Sequence, residues 1–204
     1  MNFIPRSQDK VLVIGNGPTV VDKLNLDLIS KYDIIVRINR GFFEGVERYK
    51  DVIGTRTDLL YIHDGFCTGE WFGKRSVDDV KQVFVVIPNF KYGMMRQLKH
   101  SYPDFEIVPR TIEETVTGEY NFEGRWPTTG LECLLHLKEM YSDVTIVGFD
   151  NNTSEGKKYT NYHFYKHTDK RTMEDMQKSR PDHKFKLERV IIDSMINAGA
   201  LKVI

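Results

Sequence analysis

Five short apolar runs, most of them closed by Gly, Asn or Pro, constrain this chain more than any other feature. Residues 10–14 (KVLVI) end at Gly15, residues 33–38 (DIIVRI) at Asn39, and residues 58–62 (DLLYI) at His63. Residues 82–87 (QVFVVI) end at Pro88-Asn89, and residues 143–147 (DVTIV) at Gly148-Phe149. The runs are continuous rather than alternating, as strands buried on both faces require. Between them the apolar positions switch to helical spacing. Val20, Val21, Leu24, Leu28 and Ile29 follow the first run, residues 91–100 read as a helix, and Thr129 opens another. In that last helix Leu131, Leu134 and Leu135 form the stripe, with Leu137 off to its side. Residues 105–108 read as a short strand and residues 200–204 as a final edge strand. Strands alternating with helices predict an α/β, Rossmann-like three-layer sandwich with a mostly parallel central sheet. At 204 residues, the chain reads as a single domain, 1–204.

Composition removes several classes. Lys plus Arg is 29 and Asp plus Glu is 29, so no general coat for polyanions is expected. No apolar run approaches the roughly 18 residues of a membrane span. Met1-Asn2-Phe3-Ile4-Pro5-Arg6 lacks the apolar stretch of a signal peptide. Cys67 and Cys133 are the two cysteines, too few for a disulfide framework, so a cytoplasmic chain with reduced thiols is expected. One asymmetry is local: residues 154–190 hold ten Lys/Arg against six Asp/Glu. Residues 151–182 read as a lid or mobile loop, with plain solvated surface as the alternative.

In a doubly wound sheet the ligand sits beyond the carboxyl ends of the strands. That rule selects the loops at residues 15–19, 39–41, 63–66 and 148–152. Gly15-Asn16-Gly17, between a strand and a helix, offers backbone N–H groups to a phosphate. A dinucleotide fingerprint does not fit. Val20 stands where its third glycine belongs, and the second strand ends Arg37-Ile38-Asn39-Arg40 rather than in an acid. Arg40 meeting a 2′-phosphate keeps an NADP enzyme as an alternative. Asn39 carries an amide able to donate and accept, for a nucleotide or for its own turn. Trp126-Pro127-Thr128-Thr129-Gly130 is a helix-capping arrangement that also suits an anion or a sugar edge. His163 lies in an aromatic cluster, Tyr162-His163-Phe164-Tyr165. His183 and Glu188 are five apart, about 140° around a helix. Imidazole suits acid–base work near neutral pH, though a lone histidine is more often structural or exposed. His63 and Cys67 supply two ligand types without a second pair, so no metal site is expected.

Together these blocks resemble the four ordered motifs of the sialyltransferases of glycosyltransferase family 29. The large motif corresponds to residues 11–57. It runs from Val13-Ile14-Gly15-Asn16-Gly17 through Tyr32 to Arg40, closing with Gly45-Val46-Glu47, Asp51-Val52, Gly54 and Arg56-Thr57. The small motif corresponds to Pro127-Thr128-Thr129-Gly130 through Val147-Gly148-Phe149, the third to His163-Phe164-Tyr165, and the very small motif to His183 through Glu188. There are departures. The two cysteines that secretory members join correspond to Val11 and about Tyr141, the acidic residue after the third motif is Lys166, and no anchor or stem is evident.

The resemblance implies a variant GT-A fold and an inverting, metal-independent transferase with no cofactor. The donor would be a sugar activated by CMP, with sialic acid the family's usual sugar, and the acceptor a hydroxyl of a glycan. His183 would match the catalytic base and His163 the histidine that steadies the departing phosphate. Asn16 and Asn39 would hold the nucleotide, with Thr128, Thr129, Gly130, Gly15, Gly17 and Gly148 around it. A same-fold enzyme using a UDP-sugar on an unusual acceptor, even a nucleic acid, is one alternative. A nucleotide-binding protein without transfer activity is another.

Overall fold

The computed structural model describes residues 6–67, 69–72, 75–87, 92–109, 122, 125–150, 164 and 183–204. Its centre is one seven-stranded sheet: β1 (Lys10–Ile14), β2 (Ile34–Ile38), β3 (Leu59–His63), β4 (Gln82–Ile87), β5 (Glu106–Pro109), β6 (Asp143–Val147) and β7 (Lys202–Val203). The order is β5-β4-β3-β2-β1-β6-β7, and every described pairing is parallel. The helices are α1 (Thr19–Lys23), α2 (Leu26–Ile29), α3 (Val46–Ile53), α4 (Gly69–Phe72), α5 (Tyr92–Ser101), α6 (Thr129–Met140) and α7 (Phe185–Asn197).

The apolar runs behave as expected of strands covered on both faces. Val11, Val13, Val36, Tyr61 and Ile146 pack in one layer with Leu131, Leu134 and Leu137 of α6 and Ile191, Ile192 and Met195 of α7. Leu12, Ile14, Ile35 and Val147 point the other way, among Val20, Leu24, Val46 and Ile53. Burying each such side chain is worth about 1.5–3 kcal/mol. Val11 and Tyr141, the positions matched to the family's bridging cysteines, share the first layer.

Three local departures have physical causes. Leu137 is fully buried and Leu135 only partly, so the stripe advances by three through Leu131, Leu134 and Leu137. The apolar spacing at residues 20–29 is not one helix. Leu24 is extended, and the Asn25 side chain accepts from Leu28 N at 2.8 Å, starting α2 afresh. Residues Gly41–Gly45 form a π-helical turn that runs into α3, a feature the apolar spacing does not signal.

Arg37 lies inside β2 with 1% of its surface exposed. Its NH2 donates to Ile53 O at 2.6 Å and Gly54 O at 3.1 Å, at the carbonyl end of α3. Its Nε donates to Thr57 Oγ1 at 3.1 Å and Arg56 O at 3.3 Å. Residues 53–57 are therefore wrapped around a buried guanidinium, and the partial negative charge of a helix C-terminus suits a cation. Burial, aided by the charge of Arg75, lowers the Arg37 pKa to about 9. We expect Arg37→Met to leave those carbonyls stranded and cost about 3 kcal/mol. Urea unfolding measures this, and a loss below about 1 kcal/mol contradicts it.

Candidate active site at the carboxyl edge of the sheet

Strand order reverses between β1 and β6, which makes the carboxyl ends of these two strands the switch point of the sheet. The loops there touch through their backbones. Gly15 N donates to Val147 O at 2.8 Å and Gly17 N to Gly148 O at 2.7 Å. A Cβ at Gly15 would overlap the Gly148 carbonyl, and one at Gly17 would overlap the Asp150 carboxylate. Gly148 has φ +72°, and a Cβ there would meet Val20. Thr19 N, opening α1, donates to Asp150 Oδ2 at 3.0 Å. The amides of Gly15, Gly17 and Thr19 are thus engaged within the fold, with a carboxylate standing at the start of α1. From this loop Asn16 is the residue left to meet a ligand, through its backbone N–H and its side chain. Its Oδ1 is buried without a hydrogen-bond partner, against Gly41 so closely that no Cβ would fit.

Asn16 also anchors the third block, because its carbonyl accepts from Phe164 N at 3.0 Å. Phe164 is buried against Gly41, Gly45 and Tyr49. Its neighbour His163 lies outside the described residues, as does the rest of the region read as a lid.

Asn39 follows β2 with φ +47°, left-handed for a residue other than glycine. Its N donates to Tyr61 O at 2.9 Å, and its Oδ1 accepts from His63 N at 3.0 Å. The side-chain carbonyl therefore ties β2 to β3 rather than closing its own turn, and the NH2 end is what it presents. His63 Nδ1 accepts from Gly65 N at 2.9 Å. Burial, with help from Asp64, raises the Cys67 thiol to about 12. Among the described residues no three His, Cys, Asp or Glu side chains gather as a metal site. No helix among them is long and apolar enough to cross a membrane.

The small and very small motifs meet each other. His183 precedes α7 rather than lying on it, so the helical angle to Glu188 does not apply. His183 Nδ1 lies 2.7 Å from Trp126 O. A carbonyl only accepts, so Nδ1 carries the proton and Nε2 is the basic nitrogen of the neutral ring. Glu188, in the first turn of α7, is wholly buried. Its Oε1 accepts from Thr128 N at 2.8 Å and its Oε2 from Thr128 Oγ1 at 2.7 Å. Thr128 caps α6, its Oγ1 accepting from Leu131 N at 3.2 Å. Both ends of the His183–Glu188 spacing thereby grip residues 126–128. Thr128 has its N–H and hydroxyl committed, and Thr129 and Gly130 supply the first-turn amides of α6.

Phe149 joins the two groups. Its ring lies where Cβ atoms on Gly15 and Gly130 would come within 3.1 and 3.3 Å. Gly15, Asn16, Gly17, Asn39 and Gly148 thus gather with Thr128, Thr129, Gly130 and His183 along one edge. Phe149, Asp150, Gly41 and the Trp126 carbonyl were assigned no role from sequence. The sequence marks the segments that hold them, the loops at 39–41 and 148–152 and the block opening at Trp126, but not these contacts.

No protein-family model matches the chain, and no curated protein matches it. Solved structures do. A mammalian sialyltransferase matches with TM-score 0.65 at 16% identity, over 97% of this chain and 69% of its own. The monofunctional alpha-2,3-sialyltransferase Cst-I from Campylobacter jejuni matches with TM-score 0.66 at 13% identity, over 98% and 77%. The Campylobacter jejuni sialyltransferase CstII, in complex with a substrate analogue, cytidine-5′-monophosphate, matches with TM-score 0.59 at 12% identity, over 97% and 80%. This chain has the fold of those enzymes.

Two outcomes follow from the local chemistry. Thr128→Val and Glu188→Ala should be strongly non-additive in a double-mutant cycle, with a coupling of about 1.5–3 kcal/mol. Additive losses would mean that the carboxylate does not hold Thr128. Cys67 keeps its proton in the folded protein to about pH 12, whereas an unperturbed thiol loses it near 9.0. Between those values the unfolded state binds fewer protons, so this group's contribution to stability falls as pH rises. At pH 8 a disulfide reagent should titrate Cys67 slowly until denaturant is added; rapid folded-state reaction contradicts the burial.

Proposed function

We propose that this protein is an inverting glycosyltransferase that moves a sugar, sialic acid first, from a CMP-activated donor to a hydroxyl of a glycan. One observation carries the reading: His183 is fixed by Trp126 O in the tautomer that makes Nε2 a base, on the segment that opens α6 beside the switch point. The shared fold supports it. So do the cytidine-5′-monophosphate held by CstII and the Gal-beta-1-3GalNAc-ortho-nitrophenol held by a mammalian sialyltransferase.

In the proposed step, an acceptor hydroxyl oxygen attacks the anomeric carbon and its proton passes to His183 Nε2. The bond from that carbon to the phosphate oxygen breaks, and its electron pair leaves with CMP. Entry opposite the leaving group inverts the centre in one displacement, with no metal ion in the step. The Trp126 carbonyl, accepting from Nδ1, favours the imidazolium as it forms. Charge developing on the phosphate meets the Asn39 NH2, the Asn16 amide and the first-turn amides of Thr129 and Gly130. His163, next to Phe164 on the Asn16 carbonyl, is assigned to steady that phosphate.

The test is calorimetric titration with CMP, UMP, UDP, GDP and NADP in parallel. CMP should bind selectively, and Asn39→Ala should weaken it by roughly tenfold, the worth of one good hydrogen bond. His183→Ala should lower kcat by about 10²–10⁴-fold while CMP affinity stays within about twofold. A preference for UDP would discard the CMP donor; full turnover in His183→Ala would discard the base.

A further inference from the structure

Beside the switch point, one and two strands toward β5, five residues close a ring through side-chain and backbone contacts. Arg40 lies over Trp71, its guanidinium carbon 4.9 Å from the ring centroid. Trp71 packs on Phe66 at 4.8 Å, and Phe66 takes His63 edge-on at 4.4 Å. The His63 amide returns to Asn39, the residue before Arg40. Arginines elsewhere on the fold have acidic partners: Arg56 with Asp58, Arg75 with Glu47. Among the described residues, Arg40 has none. A guanidinium carbon held over the Trp71 ring draws on the ring's π face, and the N–H groups keep their capacity to bind an anion. His63 adds a donor. Its Nδ1 accepts from Gly65 N and has Asp64 Oδ1 at 3.6 Å, so in the neutral ring the proton stands on Nε2.

We infer that this ring is an anion-reading platform next to the nucleotide site, with Arg40 the residue that selects a substrate sugar bearing a carboxylate or phosphate. The inference rests on the transferase reading above and extends it to substrate class. The anionic group has two possible sources, the sugar of the donor or an acidic acceptor glycan.

The experiment compares wild type with Arg40→Gln and Arg40→Lys, using CMP-sialic acid and paired acceptors that differ only in one carboxylate. Arg40→Gln should raise KM about tenfold or more for the substrate that carries the anion, and Arg40→Lys less, since it keeps charge but loses the planar fork. Trp71→Leu, which removes the stack without removing the charge, should act in the same direction. A rise for the acidic acceptor alone assigns the platform to the acceptor. A rise for CMP-sialic acid, with the CMP Kd unchanged, assigns it to the donor sugar. KM values within twofold for all substrates overturn the platform even where CMP binds. If CMP does not bind, the transferase reading falls first, and the platform is judged on free sialic acid against its methyl ester. Preference for the acid, lost in Arg40→Gln, sustains it; equal binding of acid and ester by wild type overturns it.

Discussion

The contact on which the site depends is backbone to backbone: Gly17 N on Gly148 O, at 2.7 Å. It holds the loop after β1 against the loop after β6 with no room for a Cβ at Gly15 or Gly17. Close approach sets the rest in order. Asp150 reaches Thr19 N, Phe149 is trapped between Gly15 and Gly130, and Asn16 is turned onto Gly41. The glycines therefore serve the meeting of two chain segments, and Asn16 is the outcome of that meeting. This differs from a phosphate loop, whose glycines free amides for the ligand.

The two edges of the sheet are built from different chemistry. At the amino edge the charges are paired. Asp58 accepts from Ile35 N and bridges Arg56 and Lys81, while Asp33 accepts from Lys10 N and Asp143 meets Lys202. At the carboxyl edge stand amides, histidines and a stacked arginine. One buried oxygen there, Asn16 Oδ1, lacks a partner. An unsatisfied buried acceptor costs about 1–3 kcal/mol. The asymmetry is what a parallel sheet imposes, since all its strand ends of one kind lie together.

Much of this was legible in the sequence because parallel strands write themselves as unbroken apolar runs. The runs at residues 10–14, 82–87 and 143–147 match β1, β4 and β6 residue for residue. Helix ends were harder. The spacing of Val20 through Ile29 fits one helix, and only the Asn25 cap divides it, through a hydrogen bond that periodicity does not encode. The π-helical turn at Gly41–Gly45 was invisible for a similar reason: Gly41 answers to Asn16 and Gly45 to Phe164, neighbours only in the fold. In the site, residue types were readable but partners were not. Asn39 was recognised as an amide at a strand end, whereas its bond to His63 N required the β2–β3 register. Glu188 was readable as the end of a short motif but its partner was not, because Thr128 is 60 residues away.

The spacing of His183 and Glu188 shows why so short a pattern is nonetheless strongly constrained. The histidine belongs to the chain entering α7 and the glutamate to the first turn, and both hold residues 126–128. Moving the carboxylate by one residue would swing it about 100° around the helix, away from Thr128. Moving the histidine would release the carbonyl that sets its tautomer. The partner atoms are mostly backbone, Trp126 O and Thr128 N, which any side chain at those positions would supply. A geometry held by backbone atoms and a few fixed spacings leaves the rest of the sequence free to change. This chain is 12–16% identical to solved sialyltransferases and has their fold.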